Sequence, residues 1–209
     1  MPTISDYYRD LLAWEEVPPR KLIYQWPPDL RKAADLAIRE AYSASGLDTN
    51  HCSIRVGSTN QSIGNQVEEH VITRLSSAIR PPFSLRSCSG AGYPDKTLVF
   101  TEEKDLRIAL EVKATSDWNP RDSNRRVLTS SSEKLRRQFS DPIHHLLLTI
   151  IYEIKNECAC VEALRLDFLE PTTPVSVRLE ASVNHKLLAT GTHHSSVLSS
   201  DETSVPSAT

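Results

Sequence analysis

Residues Gly92–Lys113 read GYPDKTLVFTEEKDLRIALEVK, and this stretch decides the fold that the sequence predicts. It contains two short runs rich in β-branched and aliphatic residues, Thr97–Phe100 and Ile108–Leu110. The charged segment between them, Thr101–Arg107, has the polarity of a hairpin loop. We therefore predict two antiparallel β-strands joined by a short connection.

Polar side chains at the open end of this hairpin predict a metal site. Glu111 and Lys113 are two residues apart on the second strand, so both side chains point to the same face of the sheet. Asp95 precedes the first strand, and antiparallel pairing brings it near the end of the second. The two carboxylates offer the hard oxygen ligands that Mg²⁺ prefers, and the ammonium can position or activate a water molecule. The combination suits phosphodiester chemistry.

Two further Glu-x-Lys triplets compete with Glu111. Glu102–Lys104 lies in a charged segment with no apolar strand around it. Glu153–Lys155 closes an apolar run, but the aspartate upstream stands in the reversed order, Asp141-Pro142. We prefer Glu111 because an apolar run leads into it and a basic segment follows it. The alternative is an exposed hairpin with an incidental Glu/Lys pair, since such short patterns recur by chance.

Apolar residues recur with a helical period from Ser62 to Arg80, and this period distinguishes the environments of two adjacent glutamates, Glu68 and Glu69. The positions three, four, seven and eleven residues after Glu68 are all apolar, namely Val71, Ile72, Leu75 and Ile79. The same offsets from Glu69 are mostly polar, so Glu68 is predicted on the inward face and Glu69 in solvent. A buried carboxylate needs a partner, and the candidates are His70, a nearby arginine or the metal site.

The segment Trp118–Gln138 concentrates positive charge directly after Lys113. It holds six basic and two acidic residues, a local net charge of +4. Arginine suits guanine or phosphate, and asparagine suits adenine. The alternative is a solvated loop and helix. The candidates for base readout are Asn119, Arg121, Asn124, Arg125 and Arg126, and the further candidates for DNA contact are Lys134, Arg136 and Arg137.

Bulk composition limits the remaining possibilities. A chain of 209 residues can form one domain with a substantial core. With 24 Lys and Arg against 27 Asp and Glu, its net charge of −3 does not indicate a general nucleic-acid binder. The four cysteines form no C-x-x-C pair and are expected as free thiols in a reducing cytoplasm. No signal pattern and no apolar run of membrane-spanning length is present, so we expect no membrane association.

The remaining periodicities predict an α/β fold with a central mixed β-sheet flanked by helices. Helices are expected over Ile4–Glu16 and Leu30–Tyr42. Strands are expected over His144–Tyr152, Ala159–Phe168 and Val175–Val183, whereas Asn184–Leu188 stays unassigned. His144 and His145 enter a strand side by side and therefore point to opposite faces, which favours polar edge residues over metal ligands. The Ser/Thr-rich stretch 191–209 is expected as a disordered tail.

Pro94-Asp95 followed by Glu111-x-Lys113 resembles the motif of the PD-(D/E)xK nuclease superfamily. Gly64-x-x-x-Glu68 is similar to the helix that brings a further acidic residue to the site in that superfamily. The chain size and the polar segment after Lys113 resemble a type II restriction endonuclease. The resemblance covers about Ser58 to Glu170. It implies a restriction-endonuclease-like core, with one nuclease domain over 1–190, an N-terminal helical part over 1–50 and a catalytic core over 58–170.

The resemblance also implies an activity, which is hydrolysis of double-stranded DNA by a homodimer at a short palindrome, leaving 5′-phosphates. Asp95, Glu111 and the Val112 carbonyl would hold Mg²⁺, and Glu68 would hold a second ion or position the first. Lys113 would position the attacking water or help to deprotonate it. Three alternatives remain: a repair or junction-resolving nuclease of the same fold, a DNA-binding protein without catalysis, and an interaction protein with a chance motif.

Overall fold

The protein is described by a computed structural model that covers residues 1–49, 53–55, 60–90, 92–102, 106–116, 127–129, 132–179, 185–189 and 194–199. The described helices are α1 Ile4–Trp14, α2 Pro28–Ala44, α3 Asn60–Ala78 and α4 Ser132–Gln138. The described strands are β1 Ser53–Arg55, β2 Phe83–Ser87, β3 Lys96–Phe100, β4 Leu106–Thr115, β5 Val127–Thr129, β6 His145–Lys155, β7 Cys158–Leu169, β8 Val175–Leu179, β9 His185–Ala189 and β10 His194–Ser199. None of these helices is long and apolar enough to cross a membrane.

The predicted hairpin is formed by β3 and β4. The two strands pair antiparallel, with Lys96 opposite Leu110 and Phe100 opposite Leu106. The residue before β3 is Asp95, and the residue after Leu110 is Glu111. The antiparallel pairing expected from the sequence is therefore confirmed, and it brings these two carboxylates to the same end of the hairpin.

The central sheet is mixed, as predicted. Its main strand order is β1-β7-β6-β4-β3-β2, with β10 also paired to β7, and β5, β9 and β8 form a separate small sheet. β4 and β6 run parallel, whereas the other described pairs of the central sheet are antiparallel. A parallel pair needs a crossover connection, and the chain between β4 and β6 contains β5 and α4.

Alternation along β4 shows how helices cover both faces of the sheet. Ile108, Leu110 and Val112 belong to an apolar cluster that includes the buried side chains of α2 and α3. Ala109 belongs to the other cluster, with buried side chains of α1 and Leu135 of α4. Because successive strand residues point to opposite faces, the helices lie on both sides. The α/β class with a central mixed sheet flanked by helices is therefore confirmed.

The prediction of a disordered tail is wrong for His194–Ser199, which form β10. β1 covers only Cys158–Cys160 on one edge of the long strand β7, and β10 pairs with Ala163–Phe168 on that same edge. This pairing uses backbone groups, which all side chains provide, and it buries Leu198. Polar composition alone therefore misjudged this segment. The remainder of 191–209 lies outside the described residues.

The two histidines at the start of β6 are buried, so their prediction as polar edge residues is wrong. The Nε2 atom of His145 lies 2.6 Å from the Leu22 carbonyl oxygen, and its Nδ1 atom hydrogen-bonds the Tyr93 hydroxyl. The ring of His144 packs against Trp26 at a centroid distance of 5.2 Å. These partners are distant in sequence, and no local pattern around the histidines indicates them.

Candidate active site

The β3–β4 hairpin holds Asp95 and Glu111 against each other. The Asp95 backbone N–H donates to Oε2 of Glu111 at 3.3 Å, and the Val112 N–H donates to Oδ2 of Asp95 at 3.4 Å. Glu111 therefore accepts a hydrogen bond from the backbone of Asp95, and Asp95 accepts one from the backbone of the residue after Glu111. The convergence predicted from the pairing register is observed.

Lys113 completes the group that was predicted from strand alternation. Its Nζ atom lies 2.5 Å from Oε1 of Glu111 and 4.0 Å from Oδ2 of Asp95. Burial acts to lower the pKa of Lys113, but the charges of Glu111, Asp95 and Glu68 and the bond to Glu111 outweigh it and raise that pKa. The lysine is therefore a charged hydrogen-bond donor near neutral pH.

Glu111 is the most deeply buried acid of this group, with 4% of its side chain exposed. Burial raises its pKa to about 7, and the negative charge of Asp95 adds to this effect. The Lys113 ammonium acts in the opposite direction without cancelling it. Glu111 is thus a carboxylate whose ionised form gains from any additional positive charge in the site.

Glu68 approaches the same strand from α3. Its Oε1 atom accepts a hydrogen bond from the Ala114 backbone N–H at 3.0 Å. Burial raises the pKa of Glu68, opposed mainly by Lys113. Glu68 is half-buried and Glu69 is exposed, as the helical phase predicts. The sequence left three candidates for the partner of Glu68, namely His70, an arginine and the metal site. In the structure Glu68 is bonded to the backbone N–H of Ala114, the residue next to Lys113.

A cleft of about 750 Å³ opens beside this group, and Glu68, Asp95 and Val112 contribute to its wall. The polar side of α3 also lines it, through Asn65, Glu69, Thr73 and Ser76. Sequence reasoning treated this stripe as a solvated face and did not assign it to a site. The position of Glu69 on the helix could have indicated it. Glu69 lies on the helical face next to the one that carries Glu68, so its polar neighbours adjoin the predicted site.

Five of the predicted DNA-contact residues, Asn119, Arg121, Asn124, Arg125 and Arg126, lie outside the described residues. The other three belong to α4. Arg136 is half-buried, and its Nη2 atom lies 3.5 Å from Oε2 of Glu15. Arg137 is 75% exposed and pairs with Glu133 one helical turn away at 2.5 Å. Arg137 is thus the exposed basic side chain of the three.

Lys134 has contacts that differ from the predicted DNA contact, and this prediction is corrected. The residue is only 7% exposed. Its ammonium donates to the carbonyl oxygens of Gly90, Gly92 and Pro94 at 2.9, 2.6 and 2.6 Å. The sequence of α4, SEKLRRQ, resembles a solvated charged helix, but these backbone acceptors lie 40 to 44 residues upstream and carry no side-chain signature.

The donor set fits a magnesium ion. Within the described residues, no group of three or more His, Cys, Asp or Glu side chains is arranged to hold a metal. Mg²⁺, however, is commonly held by one or two carboxylates together with waters and substrate phosphates. Asp95 and Glu111 supply two carboxylates, the Val112 carbonyl is a further hard oxygen, and the cleft at Asp95 leaves room for a phosphate.

Comparison with known proteins yields structural matches only. No protein-family model and no curated protein matches the chain. The fold is similar to that of the restriction endonuclease BglI bound to its DNA recognition sequence, with 11% identity, a TM-score of 0.43 and coverage of 82% of this chain and 87% of that one. It is also similar to the tetrameric restriction endonuclease SfiI bound to cognate DNA, with 10% identity, a TM-score of 0.43 and coverage of 77% and 78%.

Proposed function

We propose that this protein is a Mg²⁺-dependent deoxyribonuclease of the type II restriction kind, which hydrolyses double-stranded DNA at a short palindromic site. The observation that supports this most directly is the convergence of Glu111 and Lys113 on Asp95, which lines the cleft. The ammonium of Lys113 lies within hydrogen-bonding distance of one carboxylate and 4.0 Å from the other. Two carboxylates and one lysine beside an open cleft suit metal-assisted phosphodiester hydrolysis.

In this proposal Asp95, Glu111 and the Val112 carbonyl hold the ion. Bound Mg²⁺ supplies Lewis-acid chemistry at the scissile phosphate. The raised pKa of Glu111 indicates a site that gains from added positive charge, and ligation requires the ionised carboxylate. Glu68 orients the site from α3 by fixing the Ala114 end of β4, and its second carboxylate oxygen, Oε2, can accept a hydrogen bond from a water ligand.

Lys113 orients the attacking water and stabilises negative charge that develops on the phosphate. Its pKa is raised, so the ammonium carries its proton and donates it in hydrogen bonds rather than accepting a proton. A charged donor held in place before the reaction stabilises a transition state with little reorganisation. The water oxygen bonds to phosphorus as the bond to the 3′ oxygen breaks, and the proton lost by the water is balanced by the proton that the 3′ oxygen takes up from solvent. The products are a 3′-hydroxyl and a 5′-phosphate, which end-labelling can identify.

The proposed substrate symmetry also predicts the assembly. A palindromic duplex has two equivalent scissile bonds related by a two-fold axis, and a homodimer presents one site to each. Light scattering of the protein with a palindromic duplex should give the mass of two chains on one DNA. A single chain on the duplex that is competent for cleavage of both strands would contradict the dimer.

Digestion of a large DNA with the purified chain and Mg²⁺ tests the activity. We expect discrete fragments, and no cleavage by Lys113→Ala. The matched control is Lys155→Ala, which removes the lysine of the competing triplet, an exposed residue paired with Glu153 at 2.7 Å. A smear of fragments would indicate a non-specific nuclease, and intact DNA with the wild-type chain would contradict the proposed function.

A further inference from the structure

The segment that ends at Asp95 is held by the ammonium of a buried lysine. Lys134 lies in the first turn of α4, and its three N–H donors meet the carbonyl oxygens of Gly90, Gly92 and Pro94. A buried ammonium is costly unless hydrogen bonds satisfy it, and these acceptors match its donor count. The contact therefore makes the path of this segment and the position of α4 mutually dependent.

The backbone of this segment is shaped for that contact. Gly90 and Gly92 both have a φ of 85°, in the left-handed region that glycine adopts without steric cost. These conformations accompany carbonyls that converge on one point from residues 90, 92 and 94. Since Pro94 is one of the three acceptors, the anchored carbonyl belongs to the residue immediately before Asp95.

The side chain of Asp95 has few restraints of its own, whereas its backbone N–H donates to Glu111 and its carbonyl oxygen accepts a hydrogen bond from the Cys88 N–H at 3.2 Å. Its side chain is 41% exposed, and its contacts are a 3.4 Å hydrogen bond from the Val112 N–H and the 4.0 Å approach of Lys113. Glu111, by comparison, is buried and bonded at 2.5 Å. The position of the Asp95 carboxylate therefore depends mainly on where the backbone places it.

A second anchor acts on the neighbouring residue. The hydroxyl of Tyr93 hydrogen-bonds Nδ1 of His145, and the two rings are parallel at a centroid distance of 5.6 Å. This anchor fixes the segment to β6, whereas Lys134 fixes it to α4. The two anchors are independent because they use different elements and different types of acceptor.

We infer that Lys134 is a positioning residue of the proposed nuclease centre, which ties the carbonyls of Gly90, Gly92 and Pro94 together and so holds the Asp95 carboxylate in place beside Glu111. The inference rests on the proposed function. It assigns a role to a lysine that does not itself touch the reacting atoms. Its effect is exerted through Asp95, and substitution should therefore change the chemical step and the metal requirement more than DNA affinity.

The test uses Lys134→Met, which keeps the length and apolar stem of the side chain but removes its donors. The matched control is Lys155→Met, the same change at an exposed lysine outside the cleft. We would measure the single-turnover cleavage rate, the Mg²⁺ concentration that gives half of the maximal rate, and the DNA affinity without metal. All three are measured at a temperature where circular dichroism shows every variant folded. Mn²⁺ affinity of the free protein, measured by electron paramagnetic resonance, gives a readout that does not depend on cleavage.

We expect Lys134→Met to cleave about 10- to 100-fold more slowly, because loss of a group that orients a metal ligand typically has effects of this size. Its metal requirement should rise, and its DNA affinity should match that of the control. A purely structural role would lower the unfolding midpoint and leave the rate of the folded enzyme unchanged. That outcome, with an active wild-type enzyme, would overturn the inference and leave the proposed function intact.

Lys134→Arg serves if the methionine variant does not fold. It keeps the charge, but a planar guanidinium cannot place three donors around one point as an ammonium does. We expect an intermediate loss of rate, and wild-type rate and metal affinity in this variant would overturn the inference. If the wild-type chain binds Mn²⁺ but does not cleave DNA, the proposed function fails. In that case the Mn²⁺ affinity still tests the positioning role, and an unchanged affinity in both Lys134 variants would reject it.

Discussion

Two clusters of polar side chains adjoin the Pro94-Asp95 segment and differ in what they contact. The cleft cluster comprises Glu68, Asp95, Glu111 and Lys113. The buried cluster comprises Tyr93, Lys134 and His145. In the cleft cluster, carboxylates and an ammonium contact one another, and Asp95 remains 41% exposed. In the buried cluster, the side chains bond each other or backbone carbonyls and are almost inaccessible to solvent.

This difference separates a binding site from its support. The cleft carboxylates keep oxygen atoms that a metal ion, a water molecule or a phosphate can use. In the buried cluster, the hydrogen-bonding groups meet acceptors and donors within the fold, so little capacity remains for a ligand. Substitution of Asp95, whose side chain is substantially exposed, should therefore change catalysis at nearly constant stability. Substitutions in the buried cluster should change stability and the placement of Asp95.

The largest expected effect follows from neutralising Asp95. Asp95→Asn keeps the shape of the side chain but removes the charge of a proposed metal ligand. We expect cleavage to fall by about 1,000-fold or more, since the metal and the groups that hold it supply most of the charge stabilisation. The free energy of unfolding should change by less than about 0.5 kcal/mol, because the side chain is substantially exposed.

Single-turnover kinetics and urea denaturation of the same preparation measure both quantities. Binding of the palindromic duplex without metal provides the control and should persist. Loss of binding together with cleavage would place Asp95 in DNA recognition or folding instead of metal binding. A destabilised Asp95→Asn variant would remove the distinction between the two clusters.

The buried cluster should determine part of the acid sensitivity through His145. Burial lowers the pKa of His145 to about 4, below its ordinary value of 6.5. Between these two values the unfolded chain binds a proton that the folded chain excludes, so the free energy of unfolding falls as the pH drops from 6.5 towards 4. The full contribution is about 3 kcal/mol.

Urea denaturation at several pH values across this window measures the effect. His145→Asn should be less stable at neutral pH, because it loses bonds to Tyr93 and Leu22, but its stability should depend less on pH between 6.5 and 4. The difference between the two curves isolates His145 from the carboxylates that also titrate. Parallel curves for the two proteins would show that His145 is protonated in the folded state.

A smaller effect is expected from the third acid of the cleft cluster. Glu68→Gln retains an oxygen for the Ala114 N–H but loses the charge that acts on Lys113. We expect Mg²⁺ affinity or activity to fall by about 10- to 100-fold, as for other groups that orient a metal site. Glu69→Gln is the adjacent comparison and should show a clearly smaller loss. Equal losses in the two variants would mean that negative charge in the cleft supports activity regardless of which glutamate faces the site.

The cleft cluster could be predicted from sequence because periodicity determines which of its side chains meet. Alternation places Glu111 and Lys113 on one face of β4, and the hairpin register brings Asp95 to them. Helical phase likewise selects Glu68 over Glu69. Each step uses a repeat of known length and the side-chain types of the proposed metal site.

The buried cluster could not be predicted because its partners are mostly backbone carbonyls. Gly90, Gly92 and Leu22 accept hydrogen bonds through atoms that every residue possesses, so their sequence gives no sign of a bonded lysine or histidine. The same reason explains β10, which pairs with β7 through backbone groups. Sequence patterns identify pairs of side chains that suit each other, and in these contacts at least one partner is a backbone group instead of a side chain.

The smallest expected effect is at Arg137, three residues after Lys134 on the same helix. Arg137 is exposed and pairs within the helix, so Arg137→Ala should change the free energy of unfolding by less than about 0.5 kcal/mol. As a proposed phosphate contact, it should weaken binding to all duplexes and reduce the salt dependence by about one ion. Lys134→Met should do the reverse, lowering stability without altering the salt dependence. An unchanged salt dependence in Arg137→Ala would exclude a phosphate contact at this residue.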